Sequence, residues 1–183
     1  MLSKVEGIGA NLSTGIPARM FYSVMRLAPS SIRMRIWRGL YQRIAKSQKD
    51  SNFRFMNYGF TDGDELKLSP EDEGDRLFIQ LYNMNIRDVE IGGKEVLEVG
   101  SGRGGGASWI ARKYNPKSLL AVDYSDEAIR LSQGWVSDQD NLEFRVGNAQ
   151  QLPLPDQSFD VVYNVESSHC YADITAFISE VFK

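Results

Sequence analysis

The sequence predicts an α/β fold in which parallel strands alternate with crossover helices, preceded by a helical N-terminal extension. Four short runs rich in Val, Leu, Phe or Tyr, at 95–99, 119–123, 142–146 and 160–165, have the length and composition of strands. Helical spacing of apolar residues separates or follows them: Ala107, Ile110, Ala111 and Tyr114 in 105–114, Ala128, Leu131 and Trp135 in 126–135, and Ile174, Phe177, Ile178 and Val181 in 173–182. Such alternation builds a parallel sheet, because a parallel neighbour is reached only by a crossover. The first strand also runs straight into Gly100-Ser101-Gly102-Arg103-Gly104-Gly105-Gly106, a loop that lets backbone approach a ligand at the carboxyl edge of the sheet.

Taken in chain order, residues 16–28 form a mixed apolar and basic run that stops at Pro29, and Ser30-Ser31 offers a cap for a second helix. In that helix Ile32, Ile36, Leu40 and Ile44 recur every four residues while Arg and Lys fall elsewhere around it. This basic amphipathic pattern has two readings: peripheral contact of residues 16–48 with a membrane surface or lipid-like substrate, or a helix packed on the domain with its charges in water. Its Arg-rich, acid-poor character also resembles a mitochondrial transit peptide, a minor third reading. Residues 51–76 set Gly59, Gly63, Pro70 and Gly74 among acids and the aromatics Phe53, Phe55, Tyr58 and Phe60, and read as a mobile flap. A leading helix follows from Asp75, signalled by Leu77, Leu81 and Met84 and ended before Gly92-Gly93. The expected organisation is an extension over 1–50, a flap and leading helix over 51–90, and the sheet domain over 91–183.

Composition excludes several classes. The 183 residues are 42% apolar and 25% charged, as in an ordinary globular protein. One cysteine, Cys170, allows no internal disulfide, and with one histidine, His169, it cannot supply a structural zinc site, so no metal is expected. No run reaches the ~18 apolar residues of a membrane span, and no secretory signal opens the chain, so a cytoplasmic, membrane-associated or soluble protein is expected. The net charge of -3 conceals an asymmetry, since residues 1–50 hold nine Lys/Arg against two acids and the remainder twelve against twenty-two. A basic front on an acidic body suits lipid headgroups better than nucleic acid, whose phosphates the body would repel.

The glycine loop alone is ambiguous, because Gly100, Gly102 and Gly105 also satisfy the G-x-G-x-x-G of dinucleotide enzymes. Glu98, two residues earlier, opposes a pyrophosphate and suits a cation such as the ammonium of a methionine moiety. Asp123, at the tip of the next strand, can accept both hydroxyls of a ribose. Gly147-Asn148-Ala149 and the segment from Leu152 to Val162 complete the pattern. Together these residues resemble the class I methyltransferases dependent on S-adenosylmethionine (SAM), of the type 11 kind. In that family the glycine loop holds the methionine part, the strand-two acid the ribose, and the residues after strand three the adenine. The resemblance thus implies SAM-binding roles for Glu98, Gly100, Ser101, Gly102, Gly104, Asp123, Tyr124, Asn148, Ala149 and Asn164, with Tyr58 covering the cofactor from the flap. Where the family more often has Asp, this chain has Asn148, which still offers an amide and a carbonyl. The stretches Phe55–Phe60, Gly104–Ser108 and Asn164–Tyr171 look most like the phthiotriol and phenolphthiotriol dimycocerosate O-methyltransferases, and the resemblance covers residues 53–183.

Methyl transfer from a sulfonium is an in-line displacement, so alignment and exclusion of water matter more than an explicit base. A hydroxyl acceptor must nevertheless lose a proton, and His169, with Glu166 three residues before it, is the candidate base. Cys170 as a nucleophile has no partner logic around it. The expected function is O-methylation of a lipid-like or polyketide small molecule. The alternatives are a truncated, non-catalytic SAM-binding or regulatory module and a sterol- or quinone-type C-methyltransferase; Glu98 argues against a nucleotide-dependent oxidoreductase. The family sheet has seven strands, of which four are present here, so a C-terminally truncated fragment is expected, with strand four as an edge.

Overall fold

The computed structural model describes residues 53–183 except positions 62, 64, 65 and 137, together with positions 27–29, 32, 36 and 39. The amphipathic segment expected over 16–48 falls, apart from those scattered positions, outside the described residues. The strands are β1 (Glu95–Val99), β2 (Ser118–Asp123), β3 (Leu142–Val146) and β4 (Val161–Tyr163), and the helices α1 (Arg76–Ile86), α2 (Gly105–Tyr114), α3 (Asp126–Trp135) and α4 (Ile174–Val181). All pairings are parallel and the order is β3-β2-β1-β4, as a Rossmann-like α/β sheet requires.

Strand alternation assigns the two faces. Val96 of β1 and Leu119 and Ala121 of β2 point to one side, where Ile79 of α1, Ile110 of α2 and Ile129 of α3 bury them. Leu97, Val99, Leu120 and Val122 point to the other, against Phe177 and Val181 of α4 and the loop residues Leu152, Leu154 and Phe159. Both faces of β1 and β2 are therefore covered, which is why Leu119–Val122 reads as an unbroken apolar run and β1 is apolar apart from Glu95 and Glu98. The helix starts have local causes: Ser125 Oγ accepts from Ala128 N at 3.2 Å and Asp173 Oδ1 from Ala176 N at 3.0 Å, two side-chain caps. Among the described residues no helix is long and apolar enough to cross a membrane.

Two expectations change. The strand expected over 160–165 shrinks to Val161–Tyr163 because flanking side chains take over its hydrogen bonds. Asp160 Oδ2 accepts from Glu95 N at 2.9 Å, and Asn164 Nδ2 donates to Val99 O at 2.7 Å where a strand amide would otherwise bond. The region read as a mobile flap is, over residues 53–60, a bonded wall. Arg54 O accepts from Gly105 N at 3.1 Å, Asn57 Nδ2 donates to Phe78 O at 3.2 Å, and Phe60 N donates to Leu77 O at 2.9 Å. Phe55 is buried between the rings of Phe78 and Tyr82. A wall anchored at both α1 and α2 holds a fixed distance from the glycine loop.

Candidate functional site

A cleft enclosing about 1080 Å³, open mouth included, lies where all four strands end, the edge at which α/β sheets bind ligands. Its floor is Val99–Gly102 from β1 and Val122–Ser125 from β2; Gly147–Gln150 close one end, Val165–Ser167, Cys170 and Tyr171 the other, and Arg54–Asn57 the near wall.

Asp123 is held at the centre of the floor. Its carboxylate accepts from Gly102 N at 2.7 Å and Ser125 N at 2.8 Å, which fixes its rotamer and ties the glycine loop to β2. Burial pushes its carboxyl up to about 6, against the backbone donors from Ser125, Gly102 and Tyr124. Asp123 lines the cleft, and each of its oxygens, with one backbone donor, has capacity to accept a further hydrogen bond such as one from a sugar hydroxyl. On the adjoining loop the buried Ser101 Oγ has no hydrogen-bond partner among the described residues. A buried hydroxyl left unpaired costs free energy unless a ligand completes it.

Glu98 occupies a different place from the one its motif implied. It is fully buried on the helix-covered face of β1, outside the cleft lining, where Oε1 accepts from Tyr82 Oη at 2.9 Å and Oε2 from Tyr163 Oη at 3.0 Å. Burial pushes its carboxyl up to about 7; the two tyrosine donors oppose this and the Asp123 charge reinforces it. Of its partners only Tyr82 reaches the cleft.

The remaining candidates divide as follows. Gly100, Ser101, Gly102, Asp123, Tyr124, Asn148, Ala149 and Glu166 are brought together around the cleft. Gly104 is turned away, with Phe144 and Ser132 packed where a side chain would stand. Asn164 sits behind the lining, donating to Val99 O, Ser167 Oγ and Tyr171 Oη at 2.6–2.8 Å. Tyr58 lies outside the lining with its side chain exposed, although its backbone N donates to Glu166 Oε2 at 2.6 Å. His169 is exposed and outside the lining too. Glu166 adopts φ +50, uncommon for a residue with a side chain, as the chain turns back after β4.

The lining also contains residues that the sequence reading passed over. Ser167 and Tyr171 are joined Oγ to Oη at 2.8 Å and press against Gly100, where an added Cβ would meet Ser167 Oγ at 2.0 Å. Their four-residue spacing just past β4 was the one available signal. Met56 and Arg54 reach the cleft from more than forty residues upstream of the loop, and Arg54 lies over the Trp135 ring at 4.7 Å.

Parallel sheet, glycine loop and strand-two acid together form a Rossmann-like α/β domain with an open cleft at the carboxyl edge of its strands. Residues 97–183 match the family model described as "Methyltransferase domain". A phthiotriol/phenolphthiotriol dimycocerosates methyltransferase of Mycobacterium tuberculosis is 36% identical over 160 residues, covering 86% of this chain and 59% of the relative. A fatty-acid O-methyltransferase of Mycolicibacterium smegmatis is 40% identical over 144 residues, covering 78% and 52%. The chain thus spans a little over half the length of these relatives. Among solved structures, the cyclase SpnF superposes with a TM-score of 0.65 at 20% identity, covering 84% of this chain and 56% of that one. That likeness concerns the fold alone, and a cyclase on this fold is a reminder that activity is argued from the site.

Proposed function

We propose that the chain binds SAM in the cleft and transfers its methyl group to an oxygen of a lipid-like small molecule, with a hydroxyl as the acceptor. The observation that carries this reading is the presence in one cleft of Asp123, its rotamer fixed by two backbone amides, and the buried hydroxyl of Ser101 on the glycine loop, which has no partner among the described residues. Asp123 would accept the ribose hydroxyls, the Gly100–Gly102 backbone and Ser101 would hold the methionine end, and Asn148 and Ala149 would flank the base. SAM, when bound, supplies an activated methyl on a good leaving group. The names of the two mycobacterial relatives support a lipid-like acceptor, and the apolar groups of Met56 and Val165 in the lining are compatible with one.

Glu166 is the group placed to take the acceptor proton. It lines the cleft, its Oε2 is anchored by Tyr58 N, and Oε1 remains for the acceptor. Its place in the lining favours Glu166 over His169 for this role. Positioned bases contribute ~10²-fold or more. Glu166→Gln is therefore expected to lower turnover about 100-fold with SAM affinity unchanged, while His169→Ala leaves turnover within about twofold; the reverse pattern would reinstate the histidine.

Thermal-shift titration of the chain with SAM and with S-adenosylhomocysteine tests the cofactor, and no stabilisation by either at millimolar concentration overturns the reading. Transfer of labelled methyl to long-chain alcohols, assayed beside fatty acids, tests the acceptor. Binding without transfer to either acceptor would favour a non-catalytic SAM-binding module.

A further inference from the structure

Three carboxylates surround this cleft, and no Lys, Arg or His is paired with any of them among the described residues: Glu98 beneath the loop, Asp123 on the floor and Glu166 at the rim. Glu98 is the anomaly. Protein interiors tolerate a carboxylate when a cation or a set of backbone amides compensates it. Here, among the described residues, it is bonded by the hydroxyls of Tyr82 on α1 and Tyr163 on β4, both themselves buried. The other charged groups around it do not compensate. Asp123, from β2, and Glu166, from the turn after β4, carry the same sign. The loop's Arg103 is directed to the Phe53 ring, with Glu127 as its coulombic partner, and Arg54 of the wall lies over Trp135. The compensating charge is therefore missing from the described protein, and the cleft is one side chain away, because Tyr82 touches both Glu98 and the lining.

We propose that Glu98 reads the charge of the ligand: its carboxyl gives up a proton to solvent when a sulfonium nucleoside enters the cleft and retains it when the uncharged thioether product occupies the same place. This rests on the SAM reading above and deepens it. The two ligands share the ribose, the base and the amino-acid end, so whatever Asp123 and the loop contribute is common to both. They differ by one positive charge at sulfur. In a dry interior that charge is felt over the length of a side chain, and a buried carboxyl that ionises near neutrality is the group most sensitive to it. Glu98 acts through Tyr82 and is a positioning residue for charge, with no contact to the reacting atoms.

Calorimetric titration of the chain with SAM and with S-adenosylhomocysteine, in two buffers of different ionisation enthalpy at pH 6.5, counts the protons released. The expected result is about half a proton or more per SAM and clearly less per S-adenosylhomocysteine, with SAM affinity rising about fivefold from pH 6 to 7.5 and the product's changing less than about twofold. Glu98→Gln should bind both ligands and abolish the excess release with SAM. Tyr163→Phe, which keeps the ring and removes one donor, should move the midpoint of the SAM profile to higher pH and serves if the glutamine variant fails to fold. Equal proton release for the two ligands, or an excess that persists in Glu98→Gln, overturns the proposal while leaving SAM binding intact. Absence of binding by either ligand at every pH removes the SAM reading and this proposal with it.

Discussion

The two halves of the glycine-rich run look alike in sequence and do opposite work. Gly100–Gly102 form the cleft floor, and their backbone N–H groups bond Asp123 and the end of β2. Gly104–Gly106 are buried and face the interior, packed by Phe144, the Arg54 backbone and the Tyr82 ring. The first half is bare so that a ligand can approach; the second is bare so that the protein can approach itself. A motif read as one ligand-binding device is therefore half binding site and half core, and each half should fail in its own way.

The largest expected effect belongs to the packing half. A Cβ on Gly106 would stand 1.9 Å from Cζ of Tyr82, a ring that cannot swing aside without losing its bond to the buried Glu98. Alanine is the better helix former by ~1 kcal/mol, but overpacking costs ~3 kcal/mol and decides the sign. Gly106→Ala should thus lower the thermal midpoint by roughly 5–10 °C. A midpoint unchanged in a melting experiment would mean that Tyr82 is free to move and that the buried cluster is loose.

Glu98 bonds the hydroxyl of the same Tyr82 and gives an effect of comparable size. Its carboxyl is raised in the folded protein, so the folded state holds its proton more tightly than the unfolded chain does. Stability is then greatest at low pH and falls as pH rises from the ordinary carboxylate range through about 7, beyond which it is flat. The loss attributable to this one fully buried group is roughly 3 kcal/mol. Denaturant unfolding of the unliganded chain between pH 5 and 8 should show that decline, with a residual contribution of the same sign from Asp123, and Glu98→Gln should remove most of it. A wild-type profile that rises with pH over this interval would show that the cluster is compensated by a charge beyond the described residues.

Much of this architecture was legible because it rests on local signals. β2 has an apolar centre, β1 and β3 alternate apolar with charged residues at strand length, and α2 and α3 are bounded by local signals at Gly104, Asn115 and Ser125. What was hidden is non-local. Glu98 stood in its expected motif, but Tyr82 lies 16 residues before it and Tyr163 65 residues after it, and nothing in the sequence joins them. The shortened β4 followed from Asp160 and Asn164 substituting side chains for ladder bonds, which a strand-forming composition cannot reveal. The sequence favoured His169 as the base with Glu166 beside it; both are exposed, but only Glu166, at a left-handed turn after β4, lines the cleft.

Substitution in the cleft half should move binding more than stability. Gly102 has φ +55, which costs a side chain ~1 kcal/mol, and its Cβ would meet only the flexible end of Met56 at 3.2 Å. Gly102→Ala is expected to lose about 1 kcal/mol in unfolding and more than tenfold in SAM affinity, since the added methyl borders the Asp123 amide contact.

The smallest and sharpest case is Ser101→Ala. In the unliganded protein the buried Ser101 hydroxyl has no partner, so removing it abolishes a desolvation cost and leaves no donor or acceptor behind. Stability in the absence of ligand should therefore stay level or rise by up to ~1 kcal/mol, the opposite of what serine truncation does when its hydroxyl is bonded. If the hydroxyl is kept for the cofactor, the same change should weaken SAM by about five- to tenfold, the worth of one ordinary hydrogen bond. The two measurements are independent, one by denaturant melt and one by calorimetric titration. A stability gain with unchanged affinity would make Ser101 a buried defect and move the methionine end of the ligand away from this loop, whereas a stability loss would reveal a partner for the hydroxyl and assign Ser101 to the packing half.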